Sequence, residues 1–173
     1  MLGLLNEAGY RVAQEESEAD AIVVNTCCFI HDAKEESIET ILEMAEWKKK
    51  GDLRALIVTG CMAQRYQDEI QQEIPEVDAY LGTSSYDKIA EIILSVLDGK
   101  GYNVIDSEDR LVATDNKRII TTGGYYEYLK IAEGCDKHCT YCIIPKVRGN
   151  FRSYPYEYIL KQANELVDMG VKE

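Results

Sequence analysis

The sequence "ALIVTGC" occupies residues 55–61 and begins with a short, nearly continuous apolar run. A second run of the same kind, "AIVVNTC", occupies residues 21–27. Continuous runs rich in β-branched residues are typical of strands that are buried on both faces of a parallel sheet. The two runs therefore predict two parallel strands, and a cysteine, Cys27 or Cys61, follows each of them.

The residues around these runs predict a regular alternation of strand and helix. One helix face is predicted by four apolar residues at helical spacing, Ile38, Ile41, Leu42 and Ala45. The other predicted elements are helices over about 62–73 and 86–98 and a short strand over 78–82. This alternation predicts an α/β, flavodoxin-like parallel-sheet domain over residues 1–100. Residues 2–8 carry a helical stripe where such a domain usually opens with a strand, so we expect that the sheet begins late or that its first strand is missing.

Residues 101–124 are interpreted as a connector, and residues 125–173 as the incomplete start of a second domain. The segment "YYEYLKIAEG" (125–134) is a strand candidate, and a cysteine-rich loop follows it. A helix is then predicted from Pro155 to just before Gly170. Strand, loop and helix in this order predict the first β/α unit of a partial TIM barrel, whose complete form takes roughly 200 residues or more.

Charge and hydropathy bound the possible functions. The formal net charge is −12, and residues 126–173 are electrically balanced, so the excess of acid lies in residues 1–125. An acidic surface aids solubility and argues against broad binding to phosphate backbones in that part of the chain. The sequence contains no apolar run of the roughly 20 residues that a membrane helix needs, which predicts a cytoplasmic protein without a membrane partner.

Three of the six cysteines, Cys135, Cys139 and Cys142, fall within one loop, "EGCDKHCTYCIIPKVRG" (133–149). Clustered thiolates in a reducing compartment suit zinc, copper(I) or an iron–sulfur cluster. A structural zinc site takes four ligands, and His138 is a poor fourth ligand because it adjoins Cys139. Three cysteines suit a 4Fe–4S cluster with one open iron, and a zinc-binding module is the alternative.

Cys27 and Cys61 are expected at one edge of the sheet, because ligands of open α/β sheets bind beyond the carboxyl ends of the strands. They predict a shared metal site. The alternative is a pair of ordinary core cysteines, since free cysteine is among the most buried residue types.

These motifs together resemble those of the radical S-adenosylmethionine (SAM) methylthiotransferase family. The resemblance runs essentially from Met1 to Glu173. It is carried by "NTCCFIHDAKEESIETILEM", "IVTGCMAQRY", "YLKIAEGCDKHCTYCIIPKVRGNFRS" and the closing "GVKE". The family resemblance implies two 4Fe–4S clusters and SAM as cofactors, with the SAM-binding cluster held by the cysteine loop.

The resemblance also implies roles for single residues. Cys135, Cys139 and Cys142 match the ligands of the SAM-binding cluster, and Tyr141 matches an aromatic residue near the adenine of SAM. Cys27 and Cys61 match two of the three ligands of the auxiliary cluster, whose third ligand lies in the strand that this chain lacks. Cys28 is interpreted as a neutral small substitution. Beside the cysteine loop, a small basic edge is interpreted as contacting SAM or substrate, and solvated surface charge is the alternative. This edge consists of Lys146, Arg148 and Arg152.

The resemblance is strongest to the RimO branch, which adds a methylthio group to the β-carbon of an aspartate in small-subunit ribosomal protein S-twelve. This implies that ribosomal protein as substrate and an electron donor such as flavodoxin or ferredoxin. The alternatives are a MiaB-type enzyme acting on tRNA adenosine and an inactive fragment, because most of the predicted barrel is absent.

Overall fold

The computed structural model of the chain describes residues 1–51, 53–113 and 118–173. The helices are α1 (Leu2–Glu7), α2 (His31–Lys50), α3 (Cys61–Glu73), α4 (Ile89–Leu97), α5 (Ile144–Arg148) and α6 (Tyr156–Asp168). The strands are β1 (Ala21–Thr26), β2 (Ala55–Gly60), β3 (Ala79–Leu81), β4 (Ala132–Glu133) and β5 (Arg152–Ser153). Two 3-10 turns, Glu16–Glu18 and Tyr86–Lys88, complete the described elements.

The main sheet has three parallel strands in the order β1-β2-β3. Residues of β1 and β2 pair in register from Ala21 with Ala55 to Thr26 with Gly60. Every residue of β2 is buried, as its continuous apolar sequence predicts for a central strand covered on both faces. The predicted α/β architecture with a parallel sheet is therefore confirmed.

Helix α2 ends where the sequence predicts, but it buries a different face. Gly51 follows it in the left-handed conformation (φ 85°), and the N–H of Gly51 donates to the carbonyl of Lys48. Its buried residues are Ser37, Ile41, Met44 and Ala45, whereas Ile38 and Leu42 are exposed. The predicted face is thus half wrong, because the helix lies on the sheet with its Ser37–Met44 side inward.

Residues 125–134 do not form the single parallel strand that the sequence predicts. Only Ala132–Glu133 is a strand, and it pairs antiparallel with Arg152–Ser153. Closer to the start of the segment, the N–H of Glu173 donates to the Tyr125 carbonyl (3.3 Å) and the N–H of Glu127 donates to the Glu173 carbonyl (3.0 Å). Bonds on both sides of Tyr126 are the pattern of parallel pairing, but they flank one residue and form no ladder.

The predicted connector, residues 101–124, continues the sheet at one point, where Val104 forms a parallel bridge with Leu81. Its residues 114–117 lie outside the described residues. Within the described part of the chain, no helix is long and apolar enough to span a membrane.

Candidate metal centre

The carboxyl ends of β1 and β2 bring Cys27 and Cys61 to the same edge of the sheet. Thr26 pairs with Gly60, and each of the two cysteines directly follows one of these paired residues in the sequence. Cys61 is buried, with 8% of its surface exposed, and is the first residue of α3, while Cys27 is exposed. The edge expected from the two apolar runs is therefore present.

Gly60 makes the sharp turn from β2 into α3 possible. Its φ is 98°, and a Cβ at this position would lie 2.5 Å from the carbonyl oxygen of Thr26. Glycine alone avoids both the left-handed strain and this clash. The turn holds the backbone of Cys61 against the end of β1.

A buried serine fixes the backbone of Cys27. The N–H of Cys27 donates to the Ser37 hydroxyl (3.0 Å), and this hydroxyl lies within donor distance of the carbonyls of Ala33 (2.8 Å) and Cys27 (3.1 Å). Because Ser37 belongs to α2, the helix and the strand end are tied together beside the exposed thiol. Sequence analysis missed this contact, although a serine among the apolar positions of α2 was the available signal.

Cys28 lies between the sheet edge and the cysteine loop. Its thiol is buried and donates to the carbonyl of Cys61 (3.4 Å). Burial raises the pKa of this thiol, and the neighbouring Cys61 raises the same pKa further. The interpretation of Cys28 as a neutral small substitution stays a prediction.

Backbone contacts shape the cysteine loop at three points. The N–H of Cys135 donates to the Gly149 carbonyl (3.1 Å), and the N–H of Cys142 donates to the Cys139 carbonyl (3.0 Å). Between them His138 has a φ of 46° and is, among the described residues, the one non-glycine with a positive φ. Such strain is common where a loop has to present functional groups. All six cysteines are free thiols, and Cys139 is exposed.

A cavity of about 560 Å³ separates the cysteine loop from the start of α2. Cys139 and Cys142 line it from the loop, and Cys28 lines it from the sheet domain. Tyr141 also lines it, with 91% of its surface exposed, so its ring is available to a ligand. The cavity is therefore the place where the cysteine loop faces the sheet domain, and of the cysteines in that domain it is Cys28, not Cys27 or Cys61, that lines it.

The electrostatics of this cavity differ from those of the chain as a whole. Its charged lining residues are Lys34, Arg65 and Lys146, and no aspartate or glutamate is among the described residues that line it. The side chains of Lys34 and Arg65 each lie 4.9 Å from the ring centre of Tyr66. In a chain with a net charge of −12, such a lining favours anionic groups.

The spread of the thiols bears on the kind of metal centre that would fit. In a tetrahedral zinc site, ligands at about 2.3 Å from the ion lie about 3.8 Å from one another. Among the described residues, the one group of three or more potential ligands whose atoms all lie within 4.8 Å is His31, Asp32 and Glu35, which is exposed. The loop thiols are spread more widely. A 4Fe–4S cluster, in which each thiolate binds a different iron, fits this donor set better than one zinc ion.

Arg148 lies at the sheet edge, and its contacts there were not predicted from the sequence. Burial alone would lower the pKa of its guanidinium, but Cys61, Glu133 and Cys27 outweigh burial and raise this pKa above its usual value. Of the three residues in the predicted basic edge, Arg148 faces the sheet and Lys146 lines the cavity beside the loop. Arg152 is occupied by the backbone carbonyls of Arg148 (2.8 Å) and Asn150 (2.7 Å).

The chain matches known sequences along its whole length. The family model described as "Uncharacterized protein family UPF0004" matches residues 1–82. The full 173 residues are 62% identical to a protein of Lachnoclostridium phytofermentans and 49% identical to one of Clostridioides difficile. Both of these proteins are named "Ribosomal protein uS12 methylthiotransferase RimO". A protein of Symbiobacterium thermophilum with the same name is 46% identical over the same residues.

The chain spans a minor part of the length of these relatives. It covers 39% of the proteins from Lachnoclostridium phytofermentans and Clostridioides difficile and 36% of the one from Symbiobacterium thermophilum.

Proposed function

We propose that this chain belongs with the RimO methylthiotransferases, to which it is similar over its whole length, and that it supplies two iron–sulfur sites to an enzyme that methylthiolates ribosomal protein uS12. One observation carries the proposal. The cavity that Cys139 and Cys142 line on one side is closed on the other by Cys28, whose thiol contacts the backbone of Cys61. The loop cysteines thus face, across one space, a cysteine that contacts the backbone of Cys61, a predicted ligand of the second site.

In this proposal the loop cysteines, Cys135, Cys139 and Cys142, hold the SAM-binding cluster, and Cys27 and Cys61 provide two ligands of the auxiliary cluster. Bound there, the clusters and SAM would supply the electron, the radical and the sulfur that the methylthio transfer requires, since the hard chemistry of such enzymes belongs to the cofactors.

The other residues act by binding and orienting. The exposed ring of Tyr141 is in position to pack against the adenine of SAM, and the strained backbone at His138 keeps Cys139 at the cavity surface. The cationic lining is suited to the carboxylate of SAM or of a substrate aspartate. We also propose that residues 1–100 form a cluster-binding domain, that residues 101–124 form a connector, and that residues 125–173 are the beginning of the SAM-binding domain.

The Cys139→Ala variant of the full-length protein tests the SAM-binding site. With reduced flavodoxin or ferredoxin as electron donor, we expect the wild-type protein to release 5′-deoxyadenosine from SAM and the variant to release none. Ser153→Ala, at an exposed position of β5, should behave like the wild type. Undiminished cleavage by Cys139→Ala would contradict the proposal. A colourless, zinc-loaded wild-type protein would favour the alternative of a zinc-binding module.

Mass spectrometry of the products separates the two branches of the family. After co-expression with the full-length protein, uS12 should gain the mass of a methylthio group on an aspartate, and tRNA should remain unchanged. Modified tRNA adenosine with unmodified uS12 would instead support the MiaB-type alternative.

A further inference from the structure

Helix α5 carries the end of the cysteine loop onto the sheet domain. Val147 is buried in the same core cluster as Cys28 and Cys61. The Thr83 hydroxyl, beyond the carboxyl end of β3, donates to the Val147 carbonyl (2.9 Å) within the buried interior. The residue that follows, Arg148, is therefore placed at the end of the sheet, although it lies only six positions after Cys142 in sequence.

The guanidinium of Arg148 forms an ion pair with a carboxylate of the cysteine loop. Its Nη1 atom is 3.3 Å from Oε1 of Glu133, whose side chain is 11% exposed. On its other side Arg148 lines a second cavity, of about 530 Å³, together with Thr59 and Gly60, the two residues before Cys61.

Glycine at position 149 keeps this arrangement in place. Its φ is 72°, and a Cβ there would lie 2.3 Å from Oδ1 of Asp109 and 3.0 Å from the backbone of Glu108. The same Oδ1 of Asp109 accepts the N–H of Asn150 (2.7 Å). The chain after Arg148 is thus held against the connector, which limits how far the guanidinium can move from the sheet.

We propose that Arg148 is a positioning residue of the auxiliary site: its guanidinium pairs with Glu133 beside the residues that precede Cys61 and so couples the SAM-cluster loop to the second cysteine site. This inference rests on the proposed function. Arginine suits the role because its planar fork offers several donors at once and stays charged at every pH of interest.

The expected consequence is electrostatic. A cluster held by thiolates becomes more negative when it is reduced, and a fixed cation beside a ligand sulfur stabilises the reduced form. Arg148 should therefore raise the reduction potential of the auxiliary cluster. A lysine in its place keeps the charge but lacks the planar fork that holds the charge against Glu133 beside the sheet edge, so it should keep part of the effect.

The experiment uses the full-length protein with its three loop cysteines replaced by alanine, so that only the auxiliary cluster remains. Its reduction potential is measured by redox titration followed by electron paramagnetic resonance, in this parent and with Arg148→Gln, Arg148→Lys or Arg54→Gln added. Arg54 is the matched control, because it is an exposed arginine next to the opposite, amino-terminal end of β2. We expect the potential to fall most in Arg148→Gln, less in Arg148→Lys and not at all in Arg54→Gln.

The outcomes separate this inference from the proposed function. An unchanged potential in Arg148→Gln, or an equal fall in Arg54→Gln, would overturn the role of Arg148. If Arg148→Gln retains no cluster, Arg148→Lys decides, because a potential equal to that of the parent would overturn the role of Arg148. A parent that binds no cluster at all would contradict the assignment of Cys27 and Cys61, which belongs to the proposed function.

Discussion

At the scale of single residues, the sheet edge depends on backbone geometry as much as on thiols. Cys61 can follow β2 directly because Gly60 accepts a φ of 98° next to the carbonyl of Thr26. Cys27 is held through its backbone N–H by the Ser37 hydroxyl (3.0 Å) and is exposed. The two cysteines are therefore fixed by their neighbours, with Cys27 exposed and Cys61 buried.

Gly60→Ala should destabilise the fold markedly, and Gly99→Ala is its matched control. Gly99 also has a positive φ (75°), but nothing lies within 4 Å of a Cβ added there. We expect a loss of about 1 kcal/mol for Gly99→Ala, from left-handed strain alone. For Gly60→Ala we expect about 3 kcal/mol or more, because the added Cβ also meets the Thr26 carbonyl. Urea unfolding measures both losses, and equal losses would show that the turn relaxes freely.

At the scale of elements, an ion pair attaches the connector to the start of α4. Both nitrogens of the Arg110 fork contact Asp87, at 2.7 and 2.6 Å, and Nη1 also donates to the Ser84 carbonyl (2.6 Å). The hydrogen bonds from Arg110 hold the pKa of Asp87 below its ordinary value of 3.8, against the opposing effect of burial. Bidentate pairs of this type are stronger than ordinary surface ion pairs.

This pair predicts a pH dependence of stability. A carboxyl whose pKa is lowered in the folded state contributes fully above its unfolded pKa and loses the contribution as the pH falls through its folded pKa. Asp87→Asn should therefore lower the free energy of unfolding by about 1–2 kcal/mol at neutral pH, and the difference should shrink below pH 3.8.

Unfolding at several pH values, with Asp20→Asn as control, tests this prediction. Asp20 forms an exposed ion pair with Arg54 at 3.5 Å, and such pairs contribute little. A constant difference between wild type and Asp87→Asn down to pH values well below 3.8 would contradict the proposed contribution of the Arg110 contact.

The elements that sequence predicted correctly are those with a strong local signal. The β-branched runs of β1 and β2 and the glycine after α2 give such signals, and both strands and the helix end are confirmed. Helix α5 was missed because five residues are too few to show an apolar period. The pairing of β4 with β5 was missed because it depends on contacts between residues about 20 positions apart.

The candidate site was likewise predicted from the sequence only in part. The placement of Cys27 and Cys61 at one edge followed from the pattern of the strands, and the register of Thr26 with Gly60 agrees with it. The placement of Arg148 at the sheet edge could not be predicted, because it arises where the end of the cysteine loop packs on the sheet domain. The identification of Cys27, Cys61 and the loop cysteines as cluster ligands stays a prediction.

At the scale of the whole molecule, the acidic charge of residues 1–125 contrasts with the cationic lining of the cavity at the cysteine loop. The acidic surface favours a basic protein, such as a ribosomal protein, as the macromolecular partner. The cationic lining favours small anionic groups near the loop thiols. The two surfaces thus support the same proposal, in which a basic protein substrate docks outside and anionic groups are held inside.

The central claim is that the chain contributes to two separate clusters. Iron and sulfide are measured in the full-length protein after anaerobic reconstitution, together with a variant lacking Cys135, Cys139 and Cys142 and a variant lacking Cys27 and Cys61. We predict that each variant retains half of the wild-type iron and that combining all five substitutions removes it. Full iron in the variant lacking Cys27 and Cys61 would contradict the two-cluster account. Complete loss of iron in either of the variants that lack one set of cysteines would contradict it too.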